Sequence, residues 1–433
     1  MSDDAPDGPS SDDAVPSNLP VLRPGDAGAA EWGPGTRAVH TPQPDPLAQQ
    51  PLGLTTYRTS TFVFDTAQDY ADVLGDAKPG YSYSRIDNPT ADAFALGVAA
   101  LEAPRLDRPV ATQPFASGMA AISTVMLALC SAGAHVVAPA AVYGGTYGVL
   151  RHVLARFGVT VTFVDGTDLE AVRMAIRPET SLVWTETIAN PTTAIADLPA
   201  LSAVCRDAGV PLAVDSTFAS PVVCRPLEWG ADLVVHSATK YLGGHSDVTG
   251  GVVVGDVDLM TKVRAARIDL GGMLGPDEAF LLHRGLASLP LRVTRQSTTA
   301  RSLAEALADH PAVARVDYPG LASHPQHTLA GKLFDAGPEG TLYGGIVTVT
   351  PSGDRSAGMA FCDRLRVARV ATSLGGVHSV VSHVASTTHR QLDDAALHAA
   401  GIGPAAVRIS VGLEDADDLV RDVTAALEAV REA

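Results

Sequence analysis

The chain has 433 residues, with 48 Asp and Glu against 31 Lys and Arg, a formal charge of −17 and a 46 % apolar composition. Such a length divides into roughly two to three domains, and the acidic balance argues against nucleic acid or an anionic membrane surface as partner. No uncharged apolar stretch could cross a bilayer, and the start is not basic-then-apolar. Cys130, Cys205, Cys224 and Cys362 form no C-x-x-C pair, so the expectation is a cytoplasmic protein with buried, reduced thiols.

Residues 1–34 are rich in Asp, Ser, Pro, Gly and Ala and read as a disordered acidic tail. Residues 35–90 read as an irregular arm, with a Thr/Ser-rich apolar stretch (Tyr57 to Phe64) and then Tyr83-Ser84-Arg85. An arginine fork beside a tyrosine hydroxyl suits a phosphate dianion, although a lone loop arginine is ordinarily solvated or ion-paired.

From about 91 to 290, apolar β-branched runs alternate with Ala/Leu-rich helical stretches. The runs are His135 to Ala138, Thr160 to Val164, Ser181 to Trp184, Val210 to Val214, Leu233 to Val235 and Val252 to Val254. This alternation predicts an α/β domain with a parallel sheet covered on both faces, binding its ligand beyond the carboxyl ends of the strands. Residues 291–433 read as a smaller α/β domain. It opens with a helix over Val293 to Leu307, carries strands near Val313, Ile346 and Val407, and closes with a helix from about Ala416 to Val430.

The chemistry gathers at those strand ends. Ser117-Gly118-Met119-Ala120 starts a helix, where backbone N–H groups and the helix dipole favour an anion. Tyr143, on a loop after the first run, offers a ring to stack on a flat ligand and a hydroxyl to pass a proton. Asp215 ends one apolar run, and Ser237-Ala238-Thr239-Lys240 ends the next. A carboxylate, two hydroxyls and an amine at strand ends make a cradle for pyridoxal 5'-phosphate. Lys240 would form the Schiff base, Asp215 would pair with the pyridinium nitrogen, and Ser237 and Thr239 would hold the phosphate. Arg408, in an apolar strand, needs an anionic partner, which a substrate carboxylate or an internal acid would supply equally well. Ser373-Leu374-Gly375-Gly376 could line the same pocket. His324-Pro325-Gln326-His327 is not read as a metal pair, since the proline disfavours a helix and no third ligand stands at the right spacing.

The stretch Val235 to Asp247 resembles the lysine signature of the Cys/Met-metabolism enzymes that use pyridoxal phosphate. Thr36 to His40, Tyr83 to Thr90, Thr187-Ile188-Ala189-Asn190-Pro191, Gly271 to Pro276, Ala385 to His389 and Arg408 to Glu414 look like further blocks, in the family's order. The resemblance implies the aspartate-aminotransferase-like fold (fold type I), with a large domain on a mixed, mostly parallel sheet. It also implies a homotetramer of catalytic dimers and a small sulfur amino acid as substrate. Tyr83 and Arg85 would reach the phosphate of the neighbouring subunit, Gly118 and Met119 would join Ser117 at the cofactor, Tyr143 would stack on its ring, and Asn190 would contact the ring hydroxyl. Arg408, with Ser373, would bind the substrate carboxylate. The implied activity is a carbon–sulfur lyase acting at the γ-carbon, with a γ-replacing synthase or sulfhydrylase as the alternative. Thr372 stands where cystathionine enzymes commonly carry Glu, and Gly145 where methionine γ-lyases commonly carry Cys.

Overall fold

The computed structural model describes residues 51–390, 397 and 401–432. The expected tail, the first part of the arm and the block Thr36 to His40 lie outside the described residues.

One sheet has seven strands: β1 (Ala111–Phe115), β2 (His135–Pro139), β3 (Thr160–Val164), β4 (Thr180–Glu186), β5 (Leu212–Asp215), β6 (Leu233–Ser237) and β7 (Gly251–Gly255). Their order is β1-β7-β6-β5-β4-β2-β3. From β3 to β6 every pairing is parallel, whereas β7 runs antiparallel to both β6 and β1. The parallel sheet expected from the runs is therefore mixed at one edge. A parallel return needs a crossover, usually a helix. Between β6 and β7 lies only the Lys240 loop, which has none. Strand β1 escapes a reading by apolar runs because Thr112, Gln113 and Pro114 interrupt it. Its edge position tolerates a proline that donates nothing to the ladder.

Alternate residues of the strands feed two cores. Val137, Val183, Val214 and Val234 pack on one face, beneath the helices Pro89–Glu102, Leu198–Ala208 and Pro276–Ala308. Val136, Trp184, Ala213 and Val235 pack on the other, beneath Gly118–Leu129 and Val257–Leu270. Helix starts are capped as their sequences suggest. Asn88 accepts the Thr90 N–H ahead of Pro89, and Ser117 accepts the Ala120 N–H.

Two helical readings need correction. The arm contains a helix, Ala67–Leu74, capped by Thr66. The long helix begins at Pro276, well before Val293, and runs to Ala308 with Pro290 inside it. Gly285 and Pro290 look like breaks in the sequence, yet packing overrides them. A Cβ on Gly285 would lie 2.5 Å from the carbonyl oxygens of Leu242 and Gly243, so the missing side chain is what lets this helix press against the Lys240 loop.

Beyond it, β8 (Val313–Asp317), β11 (Ile346–Pro351), β12 (Arg369–Val370), β13 (Val380–His383) and β14 (Val407–Ser410) form a five-stranded sheet in the order β12-β13-β14-β11-β8. A short ribbon, β9 (Ala336–Gly337) with β10 (Gly340–Thr341), lies between β8 and β11 in the chain. The helix Ala416–Arg431 closes the chain. Tyr241 after the lysine, Leu374, and Val347 and Ile409 of the smaller sheet belong to the same core as the first face of the larger one, so the two sheets meet without a solvent gap. Among the described residues no helix is long and apolar enough to cross a membrane.

Candidate active site

Lys240 follows β6 and is drawn towards the smaller sheet, where its Nζ donates to Ser373 Oγ at 2.8 Å. Burial, and then the charge of Arg408, lower the ammonium's pKa from its ordinary value, which favours the free amine. Ser373 is held at φ 80°, a conformation that costs a residue with a side chain roughly 1–2 kcal/mol. That backbone turns both its groups to use. The hydroxyl meets Lys240, and the carbonyl accepts Arg408 Nη2 at 2.9 Å.

Arg408 lies on β14, 4 % exposed, with its guanidinium over the Phe218 ring at 5.9 Å. Nη1 donates to Asn190 Oδ1 at 3.1 Å, while Nε is buried with no hydrogen-bond partner among the described residues. Among the described residues no carboxylate pairs with it, and burial draws its pKa from 12.5 down to about 10. No described acid serves this arginine, the alternative the sequence left open. Among the described residues it is a buried cation with an open donor, fitted for an anion.

Asp215 ends β5 buried, its Oδ1 accepting the Thr217 N–H at 3.0 Å. Burial raises its pKa, against the hydrogen bonds from Thr217 and the field of His236. On the neighbouring strand, Glu186 stands in register with Asp215 and is equally buried. Tyr143, expected on a flexible loop, instead caps a short helix, Gly144–Gly148, and its N–H donates to Glu186 Oε1 at 2.6 Å. As a residue it remains 43 % exposed. Met119 flanks it, since a Cβ on Gly145 would fall 2.6 Å from both Met119 Sδ and Tyr143 Cε1.

The phosphate end is equally tight. A Cβ on Gly118 would lie 2.6 Å from Ser237 Cβ and 2.7 Å from its Oγ. The helix start and the end of β6 are thus close enough to share one anion. The N–H groups of Gly118 and Met119 open this helix, where no helix carbonyl can reach them. Thr217 Oγ1 accepts the Ser237 N–H, and Thr239 Oγ1 exchanges hydrogen bonds with the backbone of Gly250. The strand ends therefore fit a ligand with a phosphate at Ser117–Ser237, a cationic ring nitrogen at Asp215 and a carbonyl carbon for Lys240.

The structure brings together Lys240, Ser373, Arg408 and Asn190, and joins Ser117 and Gly118 to Ser237 and Tyr143 to Met119. Tyr83 and Arg85 stay apart from this cluster. Arg85 donates to the Ile268 carbonyl at 2.7 Å and lies over the 44 % exposed Tyr83 ring. His324 and His327 do not form a pair. His327 binds the Pro319 carbonyl, and His324 accepts the Gln326 N–H. All four cysteines are buried thiols. Sequence reasoning missed Glu186, whose signal was an acid closing an apolar run just as Asp215 closes the next. It also missed the fully buried pair His236–Glu102, with Nε2 to Oε1 at 2.6 Å.

A buried lysine of lowered pKa, after the strand next to the one that Asp215 ends and in the field of an arginine from the smaller sheet, is the arrangement of a pyridoxal-phosphate-dependent enzyme with the aspartate-aminotransferase-like fold. Residues 35–428 match the family described as Cys/Met metabolism PLP-dependent enzyme, and the chain belongs to that family. It is 40 % identical over 397 residues to a cystathionine gamma-synthase of Mycobacterium tuberculosis, covering 91 % of this chain and 97 % of that one. It is 39 % identical over 399 residues to an L-methionine gamma-lyase of Pseudomonas putida, with the same coverage of 91 % and 97 %. The crystal structure of cystathionine gamma-lyase from Lactobacillus plantarum, complexed with L-serine, superposes with a TM-score of 0.79 at 35 % identity, covering 87 % of this chain and 93 % of that one.

Proposed function

We propose that this chain catalyses γ-elimination on methionine- or cystathionine-type amino acids, giving 2-oxobutanoate, ammonia and a thiol. The observation that carries the reading is the Lys240 amine, buried, 2.8 Å from Ser373 Oγ and depressed in pKa beside Arg408. Bound pyridoxal phosphate supplies an electron sink for charge developing at the substrate's α- and β-carbons. Lys240 would hold that group, and its amine, lowered in pKa, would take the proton from Cα. Asp215 accepts the ring N–H and keeps the nitrogen protonated. Ser117, Gly118, Met119, Ser237 and Thr239 hold the phosphate, and Asn190 meets the ring hydroxyl. Tyr143 would lie against the ring and deliver a proton to the group leaving Cγ. Arg408, with Ser373, holds the substrate carboxylate, its open Nε completing a two-point grip.

In this reading residues 91–290 carry the cofactor and residues 291–433 the substrate clamp. The arm at 35–90 reaches a neighbouring copy, and Tyr83 and Arg85 complete that copy's phosphate site in a homotetramer of catalytic dimers. The protein works in the cytoplasm. A second reading, γ-replacement with an incoming thiol, draws support from the mycobacterial relative at 40 % identity.

The test is to incubate purified protein with methionine, cystathionine, homocysteine and O-acyl-homoserines, with and without a thiol, and to assay 2-oxobutanoate. Ketoacid without thiol supports the lyase. Ketoacid suppressed by thiol, with a new thioether, makes the chain a synthase or sulfhydrylase. Lys240→Ala abolishes turnover and the borohydride-sensitive visible band; a variant that kept its rate would overturn the assignment of this lysine.

A further inference from the structure

Glu186 and Asp215 end adjacent parallel strands and stand in register, so both carboxyls point to the same face of the sheet, the face that carries Ser117 and Tyr143. Two acids side by side and buried are costly. Burial, and then the charge of Asp215, push Glu186 up to about 8, opposed only by hydrogen bonds from the backbones of Tyr143 and Asn190. Apolar packing does not explain an acid here. Its hydrogen bond does: Oε1 takes the Tyr143 N–H at 2.6 Å, and the backbone of Asn190 lies close enough to favour the ionised carboxyl. Tyr143 has little else to fix it. It precedes a five-residue helix, makes no side-chain cap bond, and is 43 % exposed as a residue.

The charged and titratable groups around this carboxyl come from several elements. Asp215 is on the next strand, and beyond it His236, paired with Glu102, acts on Asp215 from β6. Arg408 lies past the Asn190 side chain. Lys240 reaches Ser373, not Glu186.

We propose that Glu186 is a positioning residue. Its carboxyl grips the backbone of Tyr143, and so sets where the tyrosine stands relative to the cofactor that Asp215 engages. The inference rests on reading the Lys240 site as a pyridoxal phosphate site. It adds that the tyrosine is placed by an acid on the sheet and not by its own loop.

Three variants separate this role from a merely structural one. Glu186→Gln keeps the acceptor oxygen and drops the charge. Glu186→Asp keeps the charge and withdraws the carboxyl by one methylene, beyond reach of the Tyr143 N–H. Glu186→Ala removes both. Each is purified with pyridoxal phosphate and read by visible circular dichroism of the bound cofactor, by cofactor affinity of the apo-protein, and by kcat and KM. In the Asp and Ala variants the dichroic amplitude falls by about half or more and kcat by roughly tenfold, with KM within about twofold, as expected when a proton donor is misplaced by about an ångström. The Gln variant stays within about threefold of the wild type in every readout, because its amide oxygen still accepts the N–H. An Asp variant with wild-type dichroism and kcat overturns the proposal, and so does a Gln variant as impaired as the Asp one. Should Glu186→Ala fail to fold, the Asp and Gln pair decides alone. A wild-type protein with no borohydride-sensitive visible band overturns the cofactor site itself, a result distinct from unaffected variants of a protein that has one.

Discussion

Arg408→Lys is the substitution that most directly separates a substrate clamp from a structural cation. Arg408 spends one nitrogen on Asn190 and one on the Ser373 carbonyl, and has Nε to spare. Lysine offers a single point of charge, so at least one charge-assisted hydrogen bond to the substrate carboxylate is lost. That loss is worth about 1.5–3 kcal/mol, or roughly a 10- to 150-fold rise in KM at neutral pH. The site adds a second effect. The burial that draws Arg408 from 12.5 to about 10 acts on any cation placed there. Applied to an ammonium whose ordinary pKa is about 10.4, a similar fall brings lysine to roughly 8. The charged form exists below that value, so the variant's KM climbs as pH rises from 7 to 9 relative to the wild type, whose arginine stays charged longer. The assay is 2-oxobutanoate release at fixed pH steps, with the ratio of variant to wild-type KM as the readout, which cancels titration of the substrate amine. A ratio near one, or one flat from pH 7 to 9, refutes the clamp.

Two stability predictions follow from buried cations and imidazoles. Arg292 sits 4 % exposed with donors on the carbonyls of Tyr241 at 2.8 Å, Leu242 at 3.4 Å and Gly285 at 2.7 Å. In Arg292→Met those carbonyls lose a donor at about 1 kcal/mol or more apiece, so urea unfolding shows a loss of roughly 3 kcal/mol, and an unchanged midpoint counts against this anchoring. His389 is buried, and desolvation, with the Arg408 charge, lowers it from 6.5 to about 4. The unfolded chain then binds a proton that the native state refuses, so stability is lost as pH falls from 6.5 towards 4, by about 3 kcal/mol in all. His389→Gln flattens that part of the stability–pH curve, and a slope identical to wild type would show that His389 does not contribute.

Much of this architecture was legible because its signals are local. Val136, Val137, Val234, Val252 and their neighbours announce buried strands by β-branched runs, and Lys240 announces itself by ending one. Ser117 was legible as a cap by its own side chain. What stayed hidden depended on register or on distance along the chain. Nothing in the sequence aligns Glu186 with Asp215 until β4 and β5 are paired. Ser373 was expected at the pocket, but its contact with Lys240, 133 residues away, and its positive φ are properties of the folded turn. The early start of the long helix was masked by Gly285, whose absent side chain is a packing requirement and not a break.

In the proposed reading the amine that does the chemistry belongs to one sheet and the arginine that grips the substrate to the other. They touch through a single strained serine, whose hydroxyl and carbonyl face opposite clients. If that reading holds, this one turn is a hinge pin between engine and jaw: a change confined to it would reach the lysine's hydroxyl partner and the arginine's carbonyl partner together, while Ser117, Asp215 and Ser237 stand elsewhere.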